Sequence, residues 1–263
     1  MVKLARRDML KSLAITGALC PVCVALWPAA GLAQDAAHPA QHWSYAGEGG
    51  PENWGMLSPE FRVCALGFEQ TPIDLTGGIK SQLSGILPIF RPMPLRILNN
   101  GHTIQVNCAE GSGSYIDGRR FDLVQFHFHH PSEHLLDGRN FDLELHFVHR
   151  SPEGQLAVLG VFIQAGAENP ALAPIWAAMP ATQTPETEIG TEILPGALLP
   201  AERGFFRYQG SLTTPPCSEG VLWSVFRQPI EASAEQIRQF AEIFPVNARP
   251  VQPRHRRFLL DSL

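Results

Sequence analysis

The chain has 263 residues, and its 20 Lys and Arg against 25 Asp and Glu give a formal net charge of −5. This length is sufficient for one sizeable hydrophobic core. The acidic balance argues against a nucleic-acid partner, which would require clustered Lys and Arg.

The first 33 residues are predicted to be a signal peptide. A basic head is followed by an uncharged run over residues 12–34, in which small residues precede the expected cleavage site after Ala33. A basic head, an apolar middle and a small-residue end are typical of secretory signals. The pair Arg6-Arg7 also matches a twin-arginine export signal. The alternative is a retained membrane anchor, because the uncharged run is nearly long enough to span a bilayer.

Removal of the signal would leave residues 34–263 as one mature domain in the periplasm. The signal carries four basic residues and one acidic residue, so the mature net charge would be −8. No later stretch is long and apolar enough to cross a membrane. We therefore expect a mature protein with neither a membrane nor a nucleic-acid partner, as a monomer or a homodimer.

Cysteine usage fits this compartment. Cys20 and Cys23 leave with the signal, so Cys64, Cys108 and Cys217 remain. In an oxidising compartment we expect two of the three to pair and one to stay free. Spacing alone leaves the choice of pair open.

Short stretches with alternating apolar residues dominate the mature chain and predict β-strands. The predicted strands are residues 103–107, 123–129, 141–148, 156–163 and 221–226. Turn signals such as Asn99-Asn100-Gly101 and Asp117-Gly118 separate them. Two helices are predicted at 170–179 and 233–243, the second beginning with Ser-x-x-Gln, a capping-box pattern. The sequence therefore predicts a mainly β single domain with a few short helices.

Histidines concentrate in two of the predicted strands. Six of the ten His lie between residues 127 and 149. Because side chains alternate along a strand, His127 and His129 share one face and can converge on one ion. His146 supplies a third nitrogen if the next strand is a neighbour. Three imidazoles suit zinc and leave a fourth position for water, which is typical of a catalytic site.

Polar residues two positions earlier support this interpretation. Gln125 precedes His127 and Glu144 precedes His146 on the same strand faces, where each can hold the second ring nitrogen of its neighbour. The alternative is a set of scattered structural histidines, as any one of them alone would suggest. His130, His134 and His149 are interpreted as structural, since their numbering or phase places them off the site.

These residues belong to a longer ordered series of motifs. The motifs are His42-Trp43-Ser44-Tyr45, Gly50-Pro51-Glu52-Asn53-Trp54, Gln70-Thr71-Pro72-Ile73-Asp74, Asn100-Gly101-His102, Gln125-Phe126-His127-Phe128-His129, Ser132-Glu133-His134, Glu144-Leu145-His146, Leu212-Thr213-Thr214-Pro215-Pro216 and Asn247-Ala248-Arg249-Pro250. With this series the chain resembles the alpha class of carbonic anhydrases from about residue 43 to 253. The resemblance implies a large twisted, mostly antiparallel central sheet, one Zn²⁺ per chain and carbon dioxide and bicarbonate as substrates.

The resemblance also implies roles for single residues. His127, His129 and His146 would bind zinc, and Thr213 would orient a hydroxide on the metal while donating its own proton to Glu133. The expected substrate pocket consists of Val148, Val158, Leu212, Thr214, Val221 and Trp223. For Val158 and Val221, the alternative is ordinary core.

A proton shuttle and a disulfide follow from the same resemblance. His102 would carry the proton released after each turnover, although an exposed hairpin histidine without a duty is the alternative. The residues expected to order the intervening waters are Tyr45, Asn100 and Gln105, where Gln105 replaces the Asn common in the family. The resemblance to bacterial and membrane-anchored members selects Cys64–Cys217 as the bridge and leaves Cys108 free.

Two rival functions are compatible with parts of this pattern. One is a carbonic anhydrase-like binding module that has lost its metal, but such modules lack one or more of the zinc histidines, and all three are present. The other is a different metal enzyme built on His-x-His, with Glu144 as a carboxylate ligand.

Overall fold

The computed structural model describes residues 42–263. The predicted signal peptide at 1–33 lies outside the described residues, as does the expected start of the mature domain at 34. Within the described part, no helix is long and apolar enough to cross a membrane.

Strands outnumber helices in this part of the chain. The strands are β1 (Ile79–Ser81), β2 (Ile86–Ile89), β3 (Met93–Asn99), β4 (Ile104–Asn107), β5 (Gly113–Ile116), β6 (Arg119–His129), β7 (Leu143–Arg150), β8 (Leu156–Ala165), β9 (Thr184–Ile193), β10 (Phe205–Ser211), β11 (Glu219–Phe226), β12 (Ile230–Ala232) and β13 (Leu260–Ser262). The α-helices are α1 (Trp54–Leu57), α2 (Val63–Leu66), α3 (Ala173–Ala177) and α4 (Ala234–Ile243). Short 3₁₀ helices lie at Gly47–Gly49, Pro59–Phe61 and Pro195–Leu198.

All the strands belong to one sheet, in the order β1-β13-β10-β11-β8-β7-β6-β4-β3-β9, with β12, β2 and β5 attached beside this path. Most neighbours are antiparallel, whereas β1–β13, β8–β11 and β8–β12 are parallel. The prediction of a mainly β domain on a mostly antiparallel sheet with short helices is confirmed.

The five predicted strands are present with shifted ends. One prediction is wrong in detail: Phe141 does not lie in β7, which begins at Leu143. Its ring instead stacks on Phe162, in a second apolar cluster away from the Leu145 face. The predicted helix at 170–179 is shorter, at Ala173–Ala177, whereas α4 begins with the predicted capping box at Ser233.

The central strands have the predicted alternation between two faces. Phe126 and Phe128 of β6 are fully buried in the main core cluster, together with Leu145 and Phe147 of β7. The histidines between them therefore point to the other face of the sheet. The register pairs His127 with His146 directly across the two strands. The strands β6 and β7 are therefore neighbours, which is the condition under which His146 can join His127 and His129.

Candidate metal centre

Three histidine rings converge on one face of the central strands. The ring centroids of His127 and His129 are 5.0 Å apart, and that of His146 lies 5.3 Å and 4.6 Å from them. Each ring offers a nitrogen to a common centre, and these nitrogens all lie within 4.8 Å of one another. The predicted ligand set is thus brought together by the strand pairing.

Each ring holds an acceptor on its other nitrogen. His127 Nδ1 lies 2.8 Å from Gln125 Oε1, and His146 Nε2 lies 2.9 Å from Glu144 Oε1, as the spacing predicted. His129 Nδ1 lies 2.7 Å from the carbonyl oxygen of Asn247. A nitrogen that faces an acceptor carries the proton, so the opposite nitrogen of each neutral ring keeps a lone pair.

The lone pairs on the inward-facing nitrogens are suited to binding a metal ion. His129 Nε2 is buried and has no hydrogen-bond partner among the described residues. Burial, with the neighbouring histidines, holds the pKa of His127 well below its ordinary value, and burial also lowers the pKa of His129. Neutral imidazoles with orphaned nitrogens are the donor set that Zn²⁺ prefers.

His134 lies closer to the cluster than the sequence analysis predicted. Its Nδ1 is 2.7 Å from Glu144 Oε1, and its Nε2 is 2.6 Å from the Tyr208 hydroxyl. The adjacent numbering was misleading because the chain leaves the strand after His129 and folds back. Burial acts to raise the pKa of Glu144, but His134 and His146 outweigh it and lower that pKa well below its usual range. Glu144 is therefore a carboxylate shared by two histidines.

Glu133 is buried beside the histidine nitrogens. Its Oε1 accepts the backbone N–H of Arg249, and its Oε2 lies 3.6 Å from His129 Nε2 and 3.9 Å from His146 Nδ1. Within residues 42–263 this Oε2 has no hydrogen-bond partner. The expected hydrogen bond from Thr213 to this oxygen is therefore not formed in this structure.

Thr213 is buried in the turn that follows β10. This turn is closed by hydrogen bonds from Leu212 N–H to Ser218 O and from Cys217 N–H to Thr214 O. The disulfide Cys64–Cys217 anchors its far end, and Cys108 is free. The bridge implied by the family resemblance is thus present.

Five of the six residues expected to form the substrate pocket pack together, and the exception is Thr214. Val158, Val221 and Trp223 are buried in one apolar cluster, against which Val148 and Leu212 pack. The Trp223 ring lies 4.9 Å from the His146 ring, so this cluster borders the histidines. Thr214 is half-buried in the turn after β10 and is not part of the cluster.

His102 lies in the loop between β3 and β4, in an aromatic stack. Its ring lies 3.6 Å from that of Trp43 and 5.1 Å from that of His42. Burial, with the nearby His42, lowers the pKa of His102 to about 4. Tyr45 packs edge-on against Trp43, and burial together with the Glu133 charge raises its pKa. In this position the His102 ring would not titrate at neutral pH.

Asn247 and Arg249 contribute backbone contacts to the site, although from the sequence they were known only as members of a family motif. The Asn247 carbonyl holds His129, and the Arg249 backbone holds Glu133. Both lie more than 100 positions from their partners, so no local pattern could have assigned these contacts.

Comparison with known proteins agrees with this geometry. A family model described as eukaryotic-type carbonic anhydrase matches residues 49–262. A carbonic anhydrase of Nostoc sp. is 48% identical over 228 residues, which cover 84% of this chain and 86% of the relative. One of Pectobacterium carotovorum is 43% identical over 83% of this chain and 90% of its own length.

A solved structure supports the same assignment. The alpha-carbonic anhydrase of Thermovibrio ammonificans, solved with the inhibitor sulfanilamide, superposes with a TM-score of 0.81 at 44% identity. The match covers 83% of this chain and 98% of that one. From the matched fold, the sequence identity and the family model together, we conclude that the chain belongs to the eukaryotic-type, or alpha, carbonic anhydrase family.

Proposed function

We propose that the protein catalyses the reversible hydration of carbon dioxide to bicarbonate and a proton, with one Zn²⁺ held by His127, His129 and His146. The observation that carries this proposal is the arrangement of three convergent rings, of which those of His129 and His146 are buried and that of His127 is half-buried. Each ring has an acceptor on its outer nitrogen and a lone pair directed at a common centre. Three protein ligands leave one position open, as catalytic zinc sites require.

Zinc bound there would supply a Lewis acid that makes hydroxide available near neutral pH. The chain's own residues fix its surroundings. Gln125, Glu144 and the Asn247 carbonyl hold the ring tautomers and orientations. Loss of such a partner typically lowers metal affinity or activity by about tenfold to a hundredfold.

Glu133 and Thr213 would orient the oxygen nucleophile. Glu133 is held by the Arg249 backbone N–H and keeps one carboxylate oxygen without a partner. A carboxylate only accepts, so a hydroxyl that donates to it must use its own oxygen as an acceptor toward the reacting group. Thr213 would take this position once its side chain turns toward Glu133.

The apolar cluster beside His146 would receive carbon dioxide. Val148, Val158 and Trp223 lie in successive register positions across β7, β8 and β11. An uncharged substrate offers little for polar groups to hold, so an apolar wall is sufficient, and it excludes water from the approach.

His102 would relay the proton between the site and bulk water. A relay must titrate near the working pH. Burial in the stack with Trp43, together with the nearby His42, lowers the pKa of His102 to about 4, so the proposal requires that the ring leave this stack during turnover. Asn100, Gln105 and Tyr45 would order waters along the path.

Export to the periplasm as a mature domain of residues 34–263 is part of the same proposal. The buried Cys64–Cys217 bridge supports an oxidising compartment.

Metal analysis of the purified protein together with a carbon dioxide hydration assay tests the central proposal. We expect about one zinc per chain and activity that chelation abolishes and added zinc restores. A folded protein that holds no zinc even after zinc is added would favour the binding module, and metal without hydration activity would favour another metal enzyme.

The shuttle is tested with His102→Ala. We expect full zinc content, an unchanged kcat/KM and a lower kcat in dilute buffer, restored by small imidazole buffers. An unchanged kcat would leave His102 without a shuttle role.

A further inference from the structure

A chain of side-chain hydrogen bonds runs from beside His102 to the edge of the sheet. Asn100 Nδ2 lies 3.4 Å from Gln105 Oε1, and Gln105 Nε2 lies 2.7 Å from Asn107 Oδ1. Asn107 Nδ2 in turn donates to a carboxylate oxygen of Glu186, on the exposed strand β9. We call these four residues the amide ladder. Asn107 and Glu186 have had no role in the reaction so far.

The direction of this ladder is fixed at both ends by groups that cannot reverse. A carboxylate only accepts, so Glu186 requires that Asn107 present its Nδ2 outward and its Oδ1 toward Gln105. At the other end, Asn100 Oδ1 accepts the backbone N–H groups of His102 and Thr103, each at 2.9 Å. Asn100 must therefore direct its Nδ2 toward Gln105. The Gln105 amide, which could otherwise flip, is therefore held in one orientation by Asn100 on one side and Asn107 on the other.

The middle of the ladder faces the metal centre. The register pairs Gln105 directly with His127, and Asn107 with Gln125, so these residues share the face of the histidines. Gln105 keeps one N–H and one lone pair beyond those used in the ladder. Which of these is offered to water on the way from His127 to His102 depends on the orientation that Glu186 imposes.

We propose that Glu186 is a positioning residue for proton transfer: through Asn107 it fixes the orientation of the Gln105 amide, and so the donor and acceptor pattern along the water path to His102. This inference rests on the proposed function. It adds a carboxylate on a different strand, which touches neither substrate nor metal. Ordered waters between polar groups follow the donors and acceptors around them, so a reversed amide would break the path without altering the metal site.

Reversal of the charge at Glu186 tests this role. A lysine there only donates, so Glu186→Lys should turn the Asn107 amide around. Gln105 would then face an N–H donor of Asn107 on one side and of Asn100 on the other, and it would lose its fixed orientation. We expect kcat for hydration to fall about fivefold, the rate equivalent of about one hydrogen bond. The zinc content, kcat/KM and thermal midpoint should remain those of the wild type. The loss belongs to the proton step, so the solvent deuterium isotope effect on kcat should rise.

Glu188→Lys is the matched control. Glu188 lies two positions along the same exposed strand, and its side chain forms a surface ion pair with Arg96, a contact that contributes little to stability. The Glu188→Lys variant has the same change in charge, but Glu188 is not part of the amide ladder, so kcat should remain unchanged. Equal losses in the two variants would overturn the proposal, because they would report charge alone.

The double variant Asn107→Asp with Glu186→Lys restores the direction of the ladder. The aspartate accepts from Gln105 Nε2 and from the lysine, so Gln105 returns to its native orientation, and kcat should recover to within about twofold of wild type. No recovery would overturn the proposal, as would a wild-type kcat in Glu186→Lys. If wild-type protein held zinc but lacked hydration activity, the proposed function itself would fail, and this outcome is separate from all the variant results.

Discussion

His146 and His149 show how the environment separates two histidines three positions apart on one strand. His146 faces His127 and leaves one nitrogen free beside Glu133. His149 is fully buried on the opposite face, where Ser114 Oγ and the Phe147 carbonyl occupy its two nitrogens. A metal ligand requires a free nitrogen, so only His146 is suited to this role.

Substitution of these two residues should therefore have different effects on the metal. His146→Ala should lose most of its zinc and nearly all hydration activity, because two imidazoles hold Zn²⁺ far more weakly than three. His149→Gln, which keeps a buried polar side chain of similar size, should retain about one zinc per chain. Metal analysis of the two folded variants measures this difference. Equal zinc loss in both would contradict the assigned ligand set.

At the scale of elements, the disulfide joins α2 to the turn that carries Thr213. Both cysteines are buried, and the surrounding backbone is held as well: Arg249 Nη2 donates to the Cys64 carbonyl, and Gln70 Nε2 donates to that of Cys217. Arg249 also holds Glu133 through its backbone. The bridge and the proposed hydroxide-orienting pair thus share one set of contacts.

Removal of the bridge should destabilise the protein substantially. The cysteines are 153 positions apart, and the chain-entropy model for so long a loop gives up to about 5 kcal/mol in the free energy of unfolding. We expect the Cys64→Ser, Cys217→Ser double variant to approach that loss in denaturant titrations. Cys108→Ser is the control and should change the stability by less than about 1 kcal/mol. A similar loss in the control would mean that the bridge has no special contribution.

For the whole molecule, buried histidines make stability depend on pH. Burial lowers the pKa of His149 to about 4, from 6.5 for an exposed histidine. Between these values the unfolded chain binds a proton at this residue and the folded protein does not. The contribution of His149 is therefore fully present above about pH 6.5 and is lost as the pH falls toward 4.

Comparison with His149→Gln isolates this contribution. The free energy of unfolding of the wild type should fall more steeply than that of the variant between pH 6.5 and 4, with a difference of roughly 3 kcal/mol over the window. Denaturant titrations of both proteins across this range measure it, and the histidines of the metal centre contribute equally to both. Parallel curves would show that His149 is not protonated differently in the two states.

Local patterns in the sequence were sufficient for the strands that carry the site. Alternation predicted that His127 and His129 share a face, and spacing predicted their neighbours Gln125 and Glu144, because both depend only on the two-residue period of a strand. Weakly patterned strands, such as the largely exposed β9, were not predicted. Such segments become strands because they pair with a neighbouring strand, as β9 does with β3, and not because of their own residue pattern.

The sequence by itself determined the candidate ligand types, their phase on the strands and the resemblance to the alpha carbonic anhydrases. Only the tertiary structure decided which distant groups complete the site: the Asn247 carbonyl on His129, the Arg249 backbone on Glu133, and Glu186 at the end of the amide ladder. The physical reason is that periodicity acts over a few residues, whereas a hydrogen bond between residues 79 to 118 positions apart depends on how the whole sheet and its loops close around the site.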